Sequence, residues 1–306
     1  MTISVILDTD LAMGATGSDI DDGFALAMAL ADPALDLRLV TTVNGNTDVE
    51  SATVLTLELL DRLGRLDVPV HRGAAQPLRR PRSAADAPAA VVGRREPDPK
   101  PAVQAMVELV LARPGEISLI AVGPLTNVAL AIGAEPGFAA SLSSLMIMGG
   151  LFLADSDGMT LPGEFNVWSD PEAARVVLES GVTASWVGLD VTRQVRLTRG
   201  EAAAMAAGDR PFESFAGEHT LGWIDHLASI GEEPDSCALH DPLAVAALSR
   251  PDLVTFAPAH LTVELGDDRR GAMVTDLHSG SPNARVGVAV DAQGFSDHFR
   301  DLMTGR

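Results

Sequence analysis

Stretches patterned for strand alternate with stretches patterned for helix along most of this 306-residue chain, and that alternation restricts the fold more than any other feature. Ile3 to Leu7 is a short, β-branched apolar run ending in polar residues, as in a buried strand. Gly23 to Leu30 favours helix and is stopped by Asp32-Pro33. Leu37 to Val43 reads as a second strand, Val49 to Leu63 as a second helix and Val68 to His71 as a third strand. Such a succession predicts right-handed βαβ units and an open, mostly parallel α/β sheet covered by helices on both faces. Residues 77–101, rich in Pro, Arg, Ala and Asp, interrupt the rhythm as a surface loop or flap. Beyond them come a helix over 101–113, a strand at Ile117–Val122, a helix after Pro124 and a strand at Leu145–Met148. A loop over 150–163, a helix after Pro171 and a strand at Ser185–Leu189 follow. Residues 198–231 are expected to be helical, and another helix begins near His240-Asp241-Pro242. The last third carries strands at Leu261–Leu265, Gly271–Val274 and Arg285–Val290, then a closing helix from about 295. No repeat or linker divides the chain, so a single domain over 1–306 is expected.

Charge narrows the function. With 42 Asp and Glu against 22 Lys and Arg, the net charge is -20, which leaves no basic footprint for nucleic acid or for an anionic membrane. Cys237 is the only cysteine, which excludes an intrachain disulfide and a thiolate metal cluster. No basic segment followed by an apolar one opens the chain, and no apolar run approaches the ~20 residues of a bilayer span. A soluble, cytoplasmic protein is the expectation.

The most informative stretch is the acidic one from Asp8 to Gly23. Asp8 and Asp10, two apart at a strand end, project from one face, and ligands of open parallel sheets bind beyond such ends. Asp21 and Asp22 then open a helix, where carboxylates are ordinarily favoured by the helix dipole alone. Convergence of the whole set is another matter, because each close pair repels by roughly 1–4 kcal/mol. A cation is the simplest compensation, and oxygen-only ligands indicate a hard ion such as Ca²⁺ or Mg²⁺. An EF-hand is excluded, since the twelfth residue counted from Asp19 is Leu30 rather than Glu. Asp-x-Asp after a strand also opens phosphatases of the haloacid dehalogenase type. That pattern wants Thr or Val where Ala12 stands, and basic groups are missing nearby: the first arginine is Arg38, and Lys100 lies in the Pro-rich loop.

Further motifs accompany the acidic stretch. Asp8-Thr9-Asp10 and Asp21-Asp22-Gly23-Phe24-Ala25-Leu26 are followed by Asn44-Gly45-Asn46, Gly123-Pro124-Leu125-Thr126-Asn127 and Met148-Gly149-Gly150. After them come Glu164-Phe165-Asn166, Asp170-Pro171-Glu172-Ala173-Ala174 and His240-Asp241-Pro242. In this order the motifs resemble those of the nucleoside hydrolase family, with a longer loop inside the opening motif, and the resemblance spans nearly the whole chain.

The resemblance implies a Rossmann-like fold and Ca²⁺-dependent hydrolysis of the N-glycosidic bond of ribonucleosides. It implies that Asp10, Asp22, Asp241 and the backbone carbonyl of Thr126 hold the ion, with Asp8 orienting them from behind. Asp10 would also be the general base that activates the Ca²⁺-bound water. Asp21, Asn46, Glu164 and Asn166 would hold the ribose hydroxyls together with Asp241, Met148 would pack beside the sugar, and His240 would protonate the leaving base. Family members are commonly dimers or tetramers, so a homodimer or homotetramer acting on a small ribonucleoside is expected.

Other residues have plainer readings. Trp223 and His226 read as packing or surface, Asp19 as a loop charge, Phe165 as wall and Cys237 as a small buried hydrophobe. The chain departs from the family pattern twice. Val91-Val92-Gly93-Arg94-Arg95 stands where a His-Gly pair is common, and Gly158 where an Asn reaches the sugar, leaving Asp155, Asp157 or Arg94 to fill the gap. Three rivals follow: a hydrolase of another ribosylated compound, a non-catalytic ribose- or nucleoside-binding protein, and the phosphatase.

Overall fold

Strand β1 (Ile3–Thr9) lies inside the main sheet because its residues are apolar on both sides: Val5 and Leu7 enter one core, Ile6 the other. The computed structural model describes residues 2–15, 18–81, 95–154 and 159–304. After β1 come α1 (Asp21–Ala31), β2 (Leu35–Thr42), α2 (Val49–Arg62), β3 (Val70–Arg72), α3 (Ala102–Ala112), β4 (Ile117–Ala121) and α4 (Thr126–Ala134). Then follow the short α5 (Phe138–Ser141), β5 (Leu142–Met148), α6 (Phe165–Ser169), α7 (Pro171–Glu179), β6 (Ala184–Val187) and α8 (Leu189–Thr192). The remainder is β7 (Arg196–Thr198), α9 (Arg199–Ala206), α10 (Pro211–Ser229), β8 (Ser236–Ala238), α11 (His240–Ser249), β9 (Val254–Val263), β10 (Met273–Asp276), β11 (Ala284–Val290) and α12 (Ala292–Thr304).

Nine strands form one sheet in the order β10-β9-β11-β6-β5-β4-β1-β2-β3. All pairings from β11 through β6 to β3 are parallel, and β9 alone pairs antiparallel with both β11 and β10. The sheet is the expected mostly parallel, Rossmann-like α/β arrangement. Its strand order reverses between β1 and β4, which makes the carboxyl ends of those two strands the topological switch point where such folds bind ligands.

Helix α1 explains why the first carboxylates end up inside. Asp21 through Ala29 are buried on every side, so the helix is sandwiched rather than laid on the surface, and its first turn is carried into the interior. Asp32 ends it by accepting the N–H of Ala34 at 2.8 Å, next to Pro33.

Four local expectations change. The helical stretch over 198–231 is two helices, broken at Gly208-Asp209-Arg210, with Pro211 opening α10 at the position where a missing N–H costs nothing. The strand expected at Ser185–Leu189 ends at Val187. Leu189 turns away to donate its N–H to the Gly150 carbonyl at 2.9 Å and starts α8. Strand β9 begins at Val254, well before Leu261, because its first half pairs with β11 and its second with β10. Pro258 inside it argues against a strand from sequence alone. Finally, the small β7–β8 pair is too short to show a periodicity. The loop expected over 77–101 has regular pairing only at Asp98, which bridges to His71, among its described residues.

Candidate active site

Each strand that ends at the switch point delivers one part of the site. Asp8, next to last in β1, stands opposite Thr41 of β2 and Ala121 of β4. Its Oδ1 accepts from the Thr41 hydroxyl at 2.5 Å and from Asn127 Nδ2 at 2.8 Å, while its Oδ2 is buried without a partner. Asn127 also donates to the Thr42 carbonyl at 2.9 Å and accepts from the Ala74 N–H at 2.9 Å, so one amide ties three segments behind Asp8.

Asp10 accepts the backbone N–H of Asn46 on Oδ2 at 2.6 Å, and its Oδ1 is buried and unpartnered. Two glycines make room for this carboxylate. A Cβ on Gly45 would lie 2.0 Å from Asp10 Oδ2, and one on Gly123 would lie 2.8 Å from Asp10 Oδ1. The Asn-Gly-Asn and Gly-Pro motifs therefore fit around Asp10 because they carry no side chain there. Asn46 reaches on with its Nδ2 to Asp22 Oδ2 at 2.9 Å, and Thr9 donates its hydroxyl to Asp22 Oδ1.

At the start of α1, Asp21 accepts the N–H of Asp22 at 3.1 Å and the N–H of Asp241 at 3.2 Å. That second bond brings the first turn of α11 against the first turn of α1. Carboxylate oxygens of Asp21, Asp22 and Asp241 all lie within 4.8 Å of one another, and all three residues are buried. Asp10 adjoins this trio through Asn46 rather than within that radius.

Burial decides the electrostatics. It pushes the Asp8 carboxyl up to about 6 against the opposing Thr41 and Asn127 hydrogen bonds. Asp22 is pushed to about 7 by burial and then by the charge of Asp21. Asp10 is raised well above the carboxylate range by burial and Asp22, and Asp241 by burial, Asp21 and Asp22. Asp19, half-buried in the loop before α1, accepts the Ile20 N–H at 2.7 Å, and its carboxyl is raised by burial and by the charge of Asp21. So many buried carboxylates with orphaned oxygens fit a bound cation, since only a positive charge lets them all ionise together. The donor set is all oxygen, which suits a hard divalent ion.

The residues expected on the sugar side sit beyond β4 and β5. Glu164 caps α6, accepting from Asn166 N at 2.7 Å, Val167 N at 3.1 Å and Gly150 N at 3.0 Å, and burial raises its carboxyl. Asn166 donates to the Val122 carbonyl at 2.7 Å, with Met148 Sδ 3.6 Å away. His240 begins α11, its Nδ1 2.7 Å from the Thr192 hydroxyl, and burial lowers its pKa. Thr126 begins α4 and donates its hydroxyl to Asp170 Oδ2 at 2.7 Å.

Two supporting residues are invisible to a motif reading: Thr41 and Thr192 lie outside the quoted motifs and look like ordinary strand and helix residues. Thr9, Asn127 and Asp170 do stand in those motifs, and their motif positions are the signal. Trp223 and His226 stack on each other along α10, with ring centroids 5.3 Å apart, and Phe165 lies 6.4 Å from Trp168. Cys237 is buried in β8 and its thiol is pushed up by desolvation. Arg94, Asp155, Asp157 and Gly158 lie outside the described residues.

The family description "Inosine-uridine preferring nucleoside hydrolase" matches residues 5–297. The chain is 37% identical over 308 residues to the non-specific ribonucleoside hydrolase RihC of Klebsiella pneumoniae, covering 96% of each. It is 35% identical over 316 residues to RihC of Escherichia coli, covering 99% of each. Among solved structures, a plant nucleoside hydrolase, PpNRh1, superposes with a TM-score of 0.89 at 28% identity over 100% of both chains. The purine-preferring ribonucleoside hydrolase from Gardnerella vaginalis superposes with a TM-score of 0.87 at 26% identity, over 99% of this chain and 98% of that one. Motifs, switch-point geometry and full-length similarity agree, and the chain belongs to the inosine-uridine preferring nucleoside hydrolase family, hydrolases acting on N-glycosyl bonds.

Proposed function

We propose that this chain is a Ca²⁺-dependent ribonucleoside N-ribohydrolase that releases free base and ribose, with Asp10 as general base. The observation that carries the reading is Asp10 Oδ1, buried and unpartnered beside Asp22 and beneath Gly123. Asp10, Asp22 and Asp241 would hold the ion. A bound Ca²⁺ supplies Lewis-acid polarisation of water and sugar hydroxyls and makes the full ionisation of the cluster affordable.

The residues of the chain account for the rest. Asp10 Oδ1 takes one proton from the attacking water as its oxygen bonds to the anomeric carbon and the carbon–nitrogen bond breaks. Asp21, Asp22 and Asp241 stabilise the positive charge that develops on the sugar, as carboxylates do in glycosidases. Asp21, Asp241, Asn46, Glu164 and Asn166 orient the hydroxyls, and Met148 lies against the ring. Their buried polar atoms would remain unpaired with a deoxygenated ligand, which favours ribosides. His240, held by Thr192, gives a proton to the departing base.

A panel of purine and pyrimidine nucleosides, assayed for free ribose with and without chelator, tests this reading. Ribose should appear with wild type and Ca²⁺, and fall by roughly 10²- to 10⁴-fold in Asp10→Ala. Release unchanged in that variant sinks the mechanism. Binding of nucleosides without turnover points to a binding protein, and phosphate release from phosphomonoesters without ribose points to a phosphatase.

A further inference from the structure

Side chains of β1 alternate between the two faces of the sheet. Val5 and Leu7 enter the core that they share with Phe24 and Met28 of α1, and Thr9 comes next in that alternation. It is fully buried. A valine would fill nearly the same space with no polar atom, whereas a buried hydroxyl is costly unless it is bonded. The Thr9 hydroxyl donates to Asp22 Oδ1, on the first turn of α1. The other oxygen of that carboxylate, Oδ2, accepts Asn46 Nδ2 at 2.9 Å from the segment after β2. Asp22 is thus gripped on both oxygens by donors from two strand ends, and rotating its carboxylate plane breaks at least one of the two bonds. A carboxylate oxygen has two lone pairs, so each keeps one for a further partner. On that side, an oxygen of Asp22 lies within 4.8 Å of one from Asp21 and one from Asp241.

We infer that Thr9 is a positioning residue for the cation site: its hydroxyl fixes the orientation of the Asp22 carboxylate beside Asp21 and Asp241. The inference rests on the proposed reading of Asp22 as a cation ligand. It gives the middle residue of Asp8-Thr9-Asp10 a task of its own. Asp8, on the opposite face of the sheet, is held by Thr41 and Asn127, while Thr9 holds the carboxylate that α1 brings in.

Calorimetric Ca²⁺ titration of wild type, Thr9→Val, Thr9→Ala and Thr9→Ser tests it, with unfolding temperatures in chelator as the check on folding. Thr9→Val and Thr9→Ala both remove the hydroxyl, the first keeping the volume and the second not. In both, the Kd for Ca²⁺ should weaken by roughly 10- to 100-fold, while Thr9→Ser should stay within about threefold of wild type. Either hydroxyl-free variant suffices where the other fails to fold. A merely structural role for Thr9 would shift the unfolding temperature in chelator and leave the Kd where it was. A wild-type Kd in Thr9→Val, or a Thr9→Ser as weak as Thr9→Val, overturns the inference and leaves the cation reading standing. A wild type that takes up no Ca²⁺ overturns the cation reading and the inference with it, which separates the two failures.

Discussion

The side chain of Asp21 accepts the backbone N–H of Asp241 at 3.2 Å, joining residues 220 apart in sequence. This bond locks the first turns of α1 and α11 together, so the carboxylates of Asp22 and Asp241 share a space that neither helix encloses alone. It also makes Asp21 a structural member of the cluster in addition to its proposed work on the ribose.

Replacing Asp21 with Ala should therefore cost binding and stability together. The Asp241 N–H loses its acceptor in a buried place, at about 1–3 kcal/mol. Removing one of the mutually repelling carboxylates offsets part of that loss only when no cation is present. Denaturant titrations should show a larger loss with Ca²⁺ than with chelator, and substrate KM should rise. Equal losses in both conditions would contradict the shared role.

The raised carboxyls set a pH dependence. Asp8 at about 6 and Asp22 at about 7 lie above the ordinary 3.8, so the native protein binds more protons than the unfolded chain. Stability then falls as pH rises. In chelator, the contribution of these two groups is full below about pH 4 and is lost through pH 6 and 7. Unfolding midpoints of chelated protein should fall over that window, and Ca²⁺ added at pH 7.5 should restore them. A flat profile in chelator would mean that the cluster stays ionised without help.

Gly45 offers a steric test. Its replacement by Ala would put a Cβ 2.0 Å from Asp10 Oδ2 and 2.8 Å from Pro124 Cδ, both within a packed wall. Displacement of the proposed base by even a fraction of an ångström should lower kcat/KM by about 10²-fold or more. Gly200 in α9 meets nothing within 4 Å, and Ala there should stabilise by about 0.5–1 kcal/mol and leave turnover intact. Normal activity in Gly45→Ala would remove Asp10 from the chemistry.

His240 is testable through the leaving group. If it protonates the base, His240→Ala should slow hydrolysis of ordinary nucleosides by about 10²-fold. A nitrophenyl riboside, which leaves as a stable anion, should be cleaved within a few fold of the wild-type rate. Parallel losses on both substrates would assign His240 to binding instead.

Much of this was legible in the sequence, for identifiable reasons. The alternation of patterns gave the parallel sheet, and carboxylates at a strand end and a helix start located the switch point. Non-local partners did not show. Thr41 reads as an ordinary strand residue until β2 is paired with β1 in the register that sets it opposite Asp8. Thr192 reads as helix or loop until Gly188 and Leu189 turn α8 toward α11. Strand β9 was half hidden by Pro258, whose missing N–H is tolerated because that half of the strand pairs with β11 alone and β10 joins only from His260 onward. Periodicity reports what a segment buries, not which hydroxyl will meet which carboxylate.

The bond from Asp21 to Asp241 also orders events in time. Ribosomes release Asp10, Asp21 and Asp22 early, and the residue that completes their enclosure arrives 220 positions after Asp21. Until α11 docks, Asp241 is not there to complete the trio with Asp21 and Asp22. On the proposed reading, capture of the ion would then belong to the end of folding, and the cation level that matters would be the one met by a chain already nearly folded.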